Sequence, residues 1–202
     1  MSLKQYSVTD LVISPNQLNV LLVLESPHTD EFIHSHPVAG SSGKKLSAFF
    51  KTSGFLNSFN STTPLGCQIK SNSYPHLGII NSSSFPMDSK FYPCGLTGSD
   101  YKRIQYLSSI KSRLEKKTQV NYQPKGLVEK YLIWNFSIRL NQVLNTPRIS
   151  TQPLKIIACG HFAANFLNAA NIPNVLNIPH PSSRGGLGNN SSVISNIQGL
   201  LP

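Results

Sequence analysis

Acidic side chains are scarce in this chain. Only 8 of its 202 residues are Asp or Glu, against 18 Lys and Arg, so the formal net charge is +10. Charged residues of both signs make up 13% of the chain, about half of the usual share. This imbalance favours a polyanionic partner, with nucleic acid first and an acidic membrane surface second.

Cysteine is also rare, with three copies at Cys67, Cys94 and Cys159. Their odd number and wide spacing argue against a disulfide framework and a CxxC metal site, so we expect no metal and no cofactor. No apolar run approaches the ~20 residues of a membrane span. The first residues lack a basic segment followed by an apolar core, so no secretory signal is expected. We therefore expect a cytoplasmic protein without a membrane partner.

What the chain does contain is four short apolar runs: residues 20–24 (VLLVL), 77–80 (LGII), 154–158 (LKIIA) and 175–178. Continuous apolar runs of this length are typical of strands buried on both faces in a parallel sheet. Neither an internal repeat nor a domain boundary is visible. We therefore treat residues 1–202 as one domain.

Helical patterns separate the apolar runs. One follows Gly43, and another follows Asp100, which we predict as a helix N-cap; further helices are predicted near residues 128–143, 162–170 and 193–201. Residues 51–74 are rich in Ser, Thr, Asn and Gly and are predicted as surface loop. Strands that alternate with helices predict a three-layer α/β/α sandwich around a four-stranded, mostly parallel sheet.

Polar segments of unusual composition follow three of the predicted strands. They are residues 25–28 (ESPH), 81–84 (NSSS) and 180–183 (HPSS). Right-handed crossovers bring the carboxyl ends of parallel strands to one edge, where open α/β sheets bind their ligands. These three loops therefore predict one site at that edge.

The first loop concentrates carboxylates. Glu25, Asp30 and Glu31 lie within seven residues of a chain with only eight acids. Such clustering beside a strand end suggests that one of them positions or activates a water molecule. Helix capping is an equal alternative, with Thr29 or Asp30 at the N-terminus and Glu31 favouring the helix dipole.

Small residues continue from this loop into the next helix. Ser41, Ser42 and Lys44 lie in a segment that is not a Walker A motif, since Gly40 and Gly43 have the wrong spacing. The backbone N–H groups at the start of a helix can still bind an anion.

The last loop places His180 between two prolines, which restrict the backbone on both sides. A histidine there can stabilise a developing anion, and Ser182, Ser183 and Arg184 suit phosphate oxygens. The alternatives are a structural histidine and a solvated loop.

Asn81 directly follows the second apolar run. Its amide carries a donor and an acceptor that match the edge of a nucleobase, although a turn or N-cap role is the simpler alternative. The basic stretch 111–117 (KSRLEKK) is interpreted as the solvated face of a helix rather than a DNA groove.

Taken in order, these segments resemble the uracil-DNA glycosylase superfamily. Residues 24–28 and 37–43 are most similar to the first motifs of its iron–sulfur class, and residues 180–184 are similar to the His-Pro-Ser-x-Arg loop of its single-strand-selective monofunctional class. Asn81 follows its strand as in the family, and residues 156–164 resemble the family's strand–Gly–helix step.

The resemblance implies an α/β/α fold and hydrolysis of the N-glycosidic bond of uracil, or of a related damaged base, in single- or double-stranded DNA. The base would be flipped into the pocket. His180 would bind its carbonyl oxygen, and Glu25 or Glu31 would orient water. Ser26 and Asn81 are the implied base-binding positions, with Phe32 or Phe85 replacing the stacking aromatic residue where this chain has Val38.

The resemblance also implies a set of DNA contacts, which are Pro181, Ser182, Ser183, Arg184, Ser41, Ser42 and Lys44. The chain departs from the family at two points. It lacks the four cluster cysteines, and Ser26 replaces a catalytic Asp or Asn. Two alternatives therefore stay open: a non-catalytic nucleic-acid-binding module, and a hydrolase of free nucleosides or nucleotides. A monomer is expected.

Overall fold

A computed structural model describes residues 6–52, 60–72, 74–92, 98–183, 187 and 193–195. The four apolar runs form one sheet, whose strands are β1 (Val20–Leu24), β2 (Leu77–Asn81), β3 (Lys155–Cys159) and β4 (Leu176–Ile178). Their order is β2-β1-β3-β4, and all three pairings are parallel. The prediction of a parallel four-stranded sheet is therefore confirmed.

Helices cover both faces of the sheet, which makes the fold a three-layer α/β/α sandwich. The helices are α1 (Thr29–His34), α2 (Ser41–Thr52), α3 (Leu65–Asn72), α4 (Gly98–Leu114), α5 (Leu127–Leu144) and α6 (His161–Ala169). Side chains of α2 and α3 share one core cluster with the sheet, and those of α4, α5 and α6 share the other. None of the described helices is both long and apolar enough to span a membrane.

The central strand β1 shows why the apolar runs are continuous. All five of its residues are buried. Val20, Leu22 and Leu24 belong to the core on the α2–α3 side, whereas Leu21 and Val23 belong to the core on the α4–α6 side. Because each face is covered by helices, both sets of alternating side chains must be apolar.

The prediction of a surface loop over residues 51–74 is wrong in its second half, because α3 lies there. Leu65 and Ile69, one turn apart, are fully buried in the core. Gln68 on the same helix is also buried and donates from Nε2 to Ser47 Oγ at 2.9 Å and to the Thr63 carbonyl at 2.8 Å. Two apolar residues among polar ones are a weak periodic signal, so the composition hid the helix. Residues 53–59 and 73 lie outside the described residues.

Two smaller predictions need comment. Asp100 is not an N-cap, because α4 already begins at Gly98 and Asp100 is a buried residue of its first turn. Of the helix predicted near residues 193–201, only 193–195 are described, and these three are helical.

Candidate functional site

A cavity of about 640 Å³ opens at the carboxyl edge of the sheet. The chain runs from β1 outward to β2 and then crosses to β3 on the other side of β1, so the strand order reverses between β1 and β3. Ligands of open α/β sheets bind at such a reversal. The described lining residues come from the ends of β1, β3 and β4 and from α4 and the segments beside it: Glu25, His28, Lys90, Lys111, Glu115, Thr118, Cys159, Gly160, His161, Phe162, Asn177, Ile178, Pro179, His180, Ser182 and Ser183.

Glu25 is the buried carboxylate of this cavity. It follows the last residue of β1, and it is only 3% exposed. Its Oε1 lies 2.7 Å from Lys111 Nζ and accepts a hydrogen bond from Ser26 Oγ at 3.3 Å. A buried carboxylate needs such compensation, since an unpaired charge there would be very costly.

Lys111 was not expected in the site. Its side chain is 11% exposed, so the interpretation of stretch 111–117 as a solvated face is wrong for this residue. Burial alone would lower the pKa of Lys111, but the charge and hydrogen bond of Glu25 outweigh burial and raise it, so the ammonium group stays charged. The sequence did contain a signal, because Lys111 lies four residues after Leu107 and seven after Ile104, on the buried stripe of α4.

Glu115 follows Lys111 by one helical turn, and its Oε1 lies 3.7 Å from Lys111 Nζ. Burial, followed by the hydrogen bond and negative charge of Glu25, raises the pKa of Glu115 to about 7. This cavity wall therefore carries one fixed ammonium group between two carboxylates, one of which exchanges a proton near neutral pH.

His180 enters the cavity as a neutral donor. Its Nδ1 accepts a hydrogen bond from the Ser182 backbone N–H at 3.2 Å, which places the ring proton on Nε2. Burial, followed by the positive charge of Lys111, lowers the pKa of His180 to about 4. At neutral pH, the ring therefore offers an N–H group without a positive charge.

Gly160 allows this position of His180. It has a φ of +92°, and a Cβ added there would lie 3.0 Å from the His180 Cβ. Its backbone N–H donates to the Ile178 carbonyl at 2.8 Å, which connects the ends of β3 and β4. A glycine is required both by the backbone conformation and by this close approach.

His28 is a second neutral ring in the cavity wall. It stacks on Phe91 with 4.0 Å between the ring centroids and 28° between the planes. Burial, followed by the charge of Lys111, lowers the pKa of His28 to about 4. An uncharged flat ring of this kind suits the face of a nucleobase.

The first turn of α2 and the last polar loop meet beside the cavity. Ser42 Oγ and Ser182 Oγ are hydrogen-bonded at 2.8 Å, although they belong to segments far apart in sequence. Ser41 and Lys44 are exposed in the first turn of α2, and Ser183 donates its N–H to the His180 carbonyl at 2.8 Å. Pro181 is buried. Of the predicted phosphate contacts, Arg184 lies outside the described residues.

Asn81 and Glu31 lie together but are not among the described residues that line the cavity. Asn81 is 1% exposed and donates from Nδ2 to Glu31 Oε2 at 3.0 Å. Glu31 Oε1 accepts the Val38 N–H at 2.7 Å, and burial raises the pKa of Glu31 to about 7. The Asn81 carbonyl accepts a hydrogen bond from Arg139 Nη2 at 2.8 Å. Glu31 lies in the first turn of α1, where it favours the helix dipole. Its hydrogen bond with Asn81 also joins α1 to the end of β2.

Ser26, Phe32 and Phe85 are also absent from the described lining of the cavity. Ser26 is buried against Glu25, and Phe32 contacts Tyr6 edge-on with centroids 6.1 Å apart. Phe85 packs against the core on the α4–α6 side. The rings that do line the cavity are His28, His161, Phe162 and His180.

Asn81 Oδ1 is buried and has no hydrogen-bond partner among the described residues. An amide oxygen in this state leaves an acceptor available if the side chain rotates or a ligand approaches. Asn81 therefore keeps an unused acceptor next to the sheet edge.

Comparison with known proteins adds no assignment. No protein-family model matches this chain, and no curated protein matches it significantly.

Proposed function

We propose that this protein is a DNA glycosylase-like hydrolase that cleaves the N-glycosidic bond of uracil, or of a related damaged base, in DNA. The observation that carries the proposal is that one cavity is lined both by the buried carboxylate of Glu25 and by the neutral N–H donor of His180. Cleavage of an N-glycosidic bond needs both groups, because negative charge develops on the base and positive charge on the sugar.

His180 acts on the departing base. A flipped-out pyrimidine presents a carbonyl oxygen that gains charge as the bond breaks, and the Nε2–H group donates to it. Because its pKa is lowered to about 4, His180 is an uncharged imidazole at neutral pH. The N–H group of a neutral imidazole is a very weak acid, so it donates a hydrogen bond to the anion without transferring its proton. This role needs no metal ion.

Glu25 acts on the sugar side. Its carboxylate orients the attacking water or stabilises the cationic sugar, while Lys111 compensates its charge in the absence of substrate. Both oxygens of Glu31 accept hydrogen bonds from Val38 and Asn81, and Glu31 lies outside the lining. We therefore assign the catalytic carboxylate to Glu25 rather than to Glu31.

The ring that stacks on the base is assigned to His28. Phe32 and Phe85 are packed elsewhere, whereas His28 lies in the cavity wall and is itself supported by Phe91. Asn81 is assigned to recognition of the base edge through Oδ1, which has no hydrogen-bond partner among the described residues. This role requires a movement that breaks the hydrogen bond between Asn81 Nδ2 and Glu31.

Phosphate contacts come from the rim. Lys90 lines the cavity, and the Ser42–Ser182 hydrogen bond holds the first turn of α2 beside the last polar loop. The net charge of +10 supplies the general attraction to the DNA backbone. Ser183, Ser41 and Lys44 belong to the same proposed surface, and Arg184 stays a sequence-based prediction. Pro181 is buried and is left out of this surface.

A release assay tests the proposal directly. Oligonucleotides with labelled uracil, presented single-stranded, opposite adenine and opposite guanine, are incubated with wild-type protein and with the variants Glu25→Gln, Glu31→Gln and His180→Ala. We expect release of free uracil, with the rate lowered by about 10²-fold or more in Glu25→Gln and His180→Ala. Glu31→Gln is the matched carboxylate comparison and should retain most of the rate. The reverse order would transfer the water-orienting role to Glu31.

If folded protein releases no base from any of these substrates, the glycosylase proposal fails. Salt-sensitive DNA binding without release would then support the non-catalytic module.

A second candidate is a hydrolase of free nucleosides or nucleotides. The cavity volume of about 640 Å³ favours it, because it falls within the roughly 300–1,000 Å³ of small-molecule sites. Hydrolysis of a panel of nucleosides and nucleotides, with no release from DNA, would select this candidate.

A further inference from the structure

Three metal-binding side chains converge away from the cavity. They are His34, His36 and Cys67, and one ligand atom from each lies within 4.8 Å of the others. None of the three is among the described residues that line the cavity. The cluster is therefore a separate site from the cavity to which the function is assigned.

The distance between His36 and Cys67 matches that between two ligands of one ion. His36 Nε2 and Cys67 Sγ are 3.7 Å apart. In a tetrahedral zinc site, with metal distances of about 2.0 Å to nitrogen and 2.3 Å to sulfur, the two ligand atoms are about 3.5 Å apart. Little movement is required to bring both onto one ion.

The imidazole of His36 is already oriented as a ligand. Its Nδ1 lies 3.0 Å from the Pro37 carbonyl, a hydrogen bond that requires the proton on Nδ1 and leaves Nε2 unprotonated toward Cys67. Metal-binding histidines almost always use their second nitrogen in this way.

The backbone around the cluster is tightly constrained. Ser35 lies between the two histidines with a φ of 55° and donates its N–H to the carbonyls of the last turn of α1. Gly66, the neighbour of Cys67, lies so close to the turn after α1 that a Cβ added to it would be 2.0 Å from the Pro37 oxygen and 2.7 Å from His36 Nδ1. This approach of α3 to the turn after α1 holds Cys67 against His36.

We propose that His34, His36 and Cys67 bind a divalent transition-metal ion, with Zn²⁺ as the first choice and one coordination position left to water. Two imidazoles and a thiolate suit zinc or copper, whereas Mg²⁺ and Ca²⁺ require oxygen ligands. The ion would join the end of α1 to α3. Binding releases the Cys67 proton, and the neighbouring Lys70 ammonium, which contacts the His34 carbonyl at 3.3 Å, moderates the affinity by repelling the dication.

This proposal departs from the sequence-based expectation of no metal. The expectation considered only Cys-x-x-Cys spacing, whereas the ligands come from a His-x-His segment and one distant cysteine. The approach of α3 to the turn after α1 brings them together.

Cobalt is the probe for this site, since a cobalt–thiolate bond produces a charge-transfer absorption that aqueous Co²⁺ lacks. We expect one equivalent of Co²⁺ to produce this band in the full chain and one equivalent of Zn²⁺ to abolish it. Cys67→Ser should remove the band, and Cys159→Ala, which removes a buried thiol outside the cluster, should retain it. His36→Ala should weaken Co²⁺ binding by at least about 10-fold.

A thermal measurement keeps the test informative if Cys67→Ser fails to fold. Excess Zn²⁺ should raise the Tm of the wild-type protein and of Cys159→Ala, because an ion that binds only the folded state stabilises it. The exposed ligand variant His34→Ala should show a smaller rise. No cobalt–thiolate band in the wild-type protein, or a band that survives in Cys67→Ser, would overturn the proposal. Absence of glycosylase activity would not affect it.

Discussion

Lys111 Nζ lies 2.7 Å from Glu25 Oε1, and this ion pair joins the end of β1 to α4 across the wall of the cavity. Both side chains are nearly buried, so each compensates a charge that is largely shielded from bulk water. The position of α4 therefore determines the environment of the carboxylate to which we assign catalysis.

Removing Lys111 should destabilise the protein more than removing both charges. Lys111→Met leaves the Glu25 charge buried without compensation, and we expect it to lower the free energy of unfolding by roughly 3 kcal/mol. The double variant Glu25→Gln/Lys111→Met should recover much of this loss. Urea denaturation of the two single variants and the double variant checks the coupling, and strictly additive effects would contradict it.

Gly160→Ala should impair the position of His180. Alanine is strained at a φ of +92°, at a cost of about 1–3 kcal/mol, and its Cβ would press on the His180 Cβ. We expect a lower free energy of unfolding together with slower base release. Gly98→Ala is the control, because nothing lies within 4 Å of a Cβ at that position, and it should leave both quantities nearly unchanged. Equal effects of the two substitutions would contradict the role of Gly160.

Glu31 should make stability fall as the pH rises. Its folded-state pKa of about 7 is above the ordinary value of 4.5, so between these values the folded state holds a proton that the unfolded state has lost. The favourable contribution is complete below pH 4.5 and is lost as the pH rises through 7, at about 1.4 kcal/mol for each pKa unit. The stability of wild type relative to Glu31→Gln should therefore be greater at pH 5 than at pH 8. Chemical denaturation at both pH values measures this, and a constant difference would refute it.

Lys90 should contribute one phosphate contact. We expect Lys90→Ala to weaken DNA binding to all sequences alike and to reduce the slope of log K against log salt by about 1. Lys130→Ala, an exposed lysine on α5 outside the cavity lining, should leave the slope unchanged. Fluorescence anisotropy over a range of salt concentrations separates the two variants. An identical slope for Lys90→Ala and wild type would remove Lys90 from the DNA surface.

Most of the architecture could be predicted from local pattern. The runs 20–24 and 77–80 are apolar at every position, which is compatible only with a strand covered on both faces or a buried helix segment, and their short length favours the strand. Helix α3 was missed because only Leu65 and Ile69 mark its buried face. Where few of the buried side chains are apolar, hydrophobic periodicity carries little information.

The site was predicted less completely than the sheet. The position of His180 between two prolines, and its place after the last strand, identified it as a residue of the sheet edge. Lys111 was assigned to solvent because its neighbours are charged, although its spacing from Leu107 places it on the buried stripe of α4. Charge composition outweighed periodicity in that interpretation, and periodicity was the better guide.

The order of residues along the chain was enough to determine the strands, their burial on both faces and the edge at which the polar loops meet, because these depend on local periodicity and on the handedness of crossovers. Folding alone decided which carboxylate faces the cavity. Glu25 and Glu31 are six positions apart, yet one pairs with Lys111 at the cavity and the other is enclosed by Val38 and Asn81. The direction of each side chain depends on contacts with distant helices and strands, and no local pattern encodes those contacts.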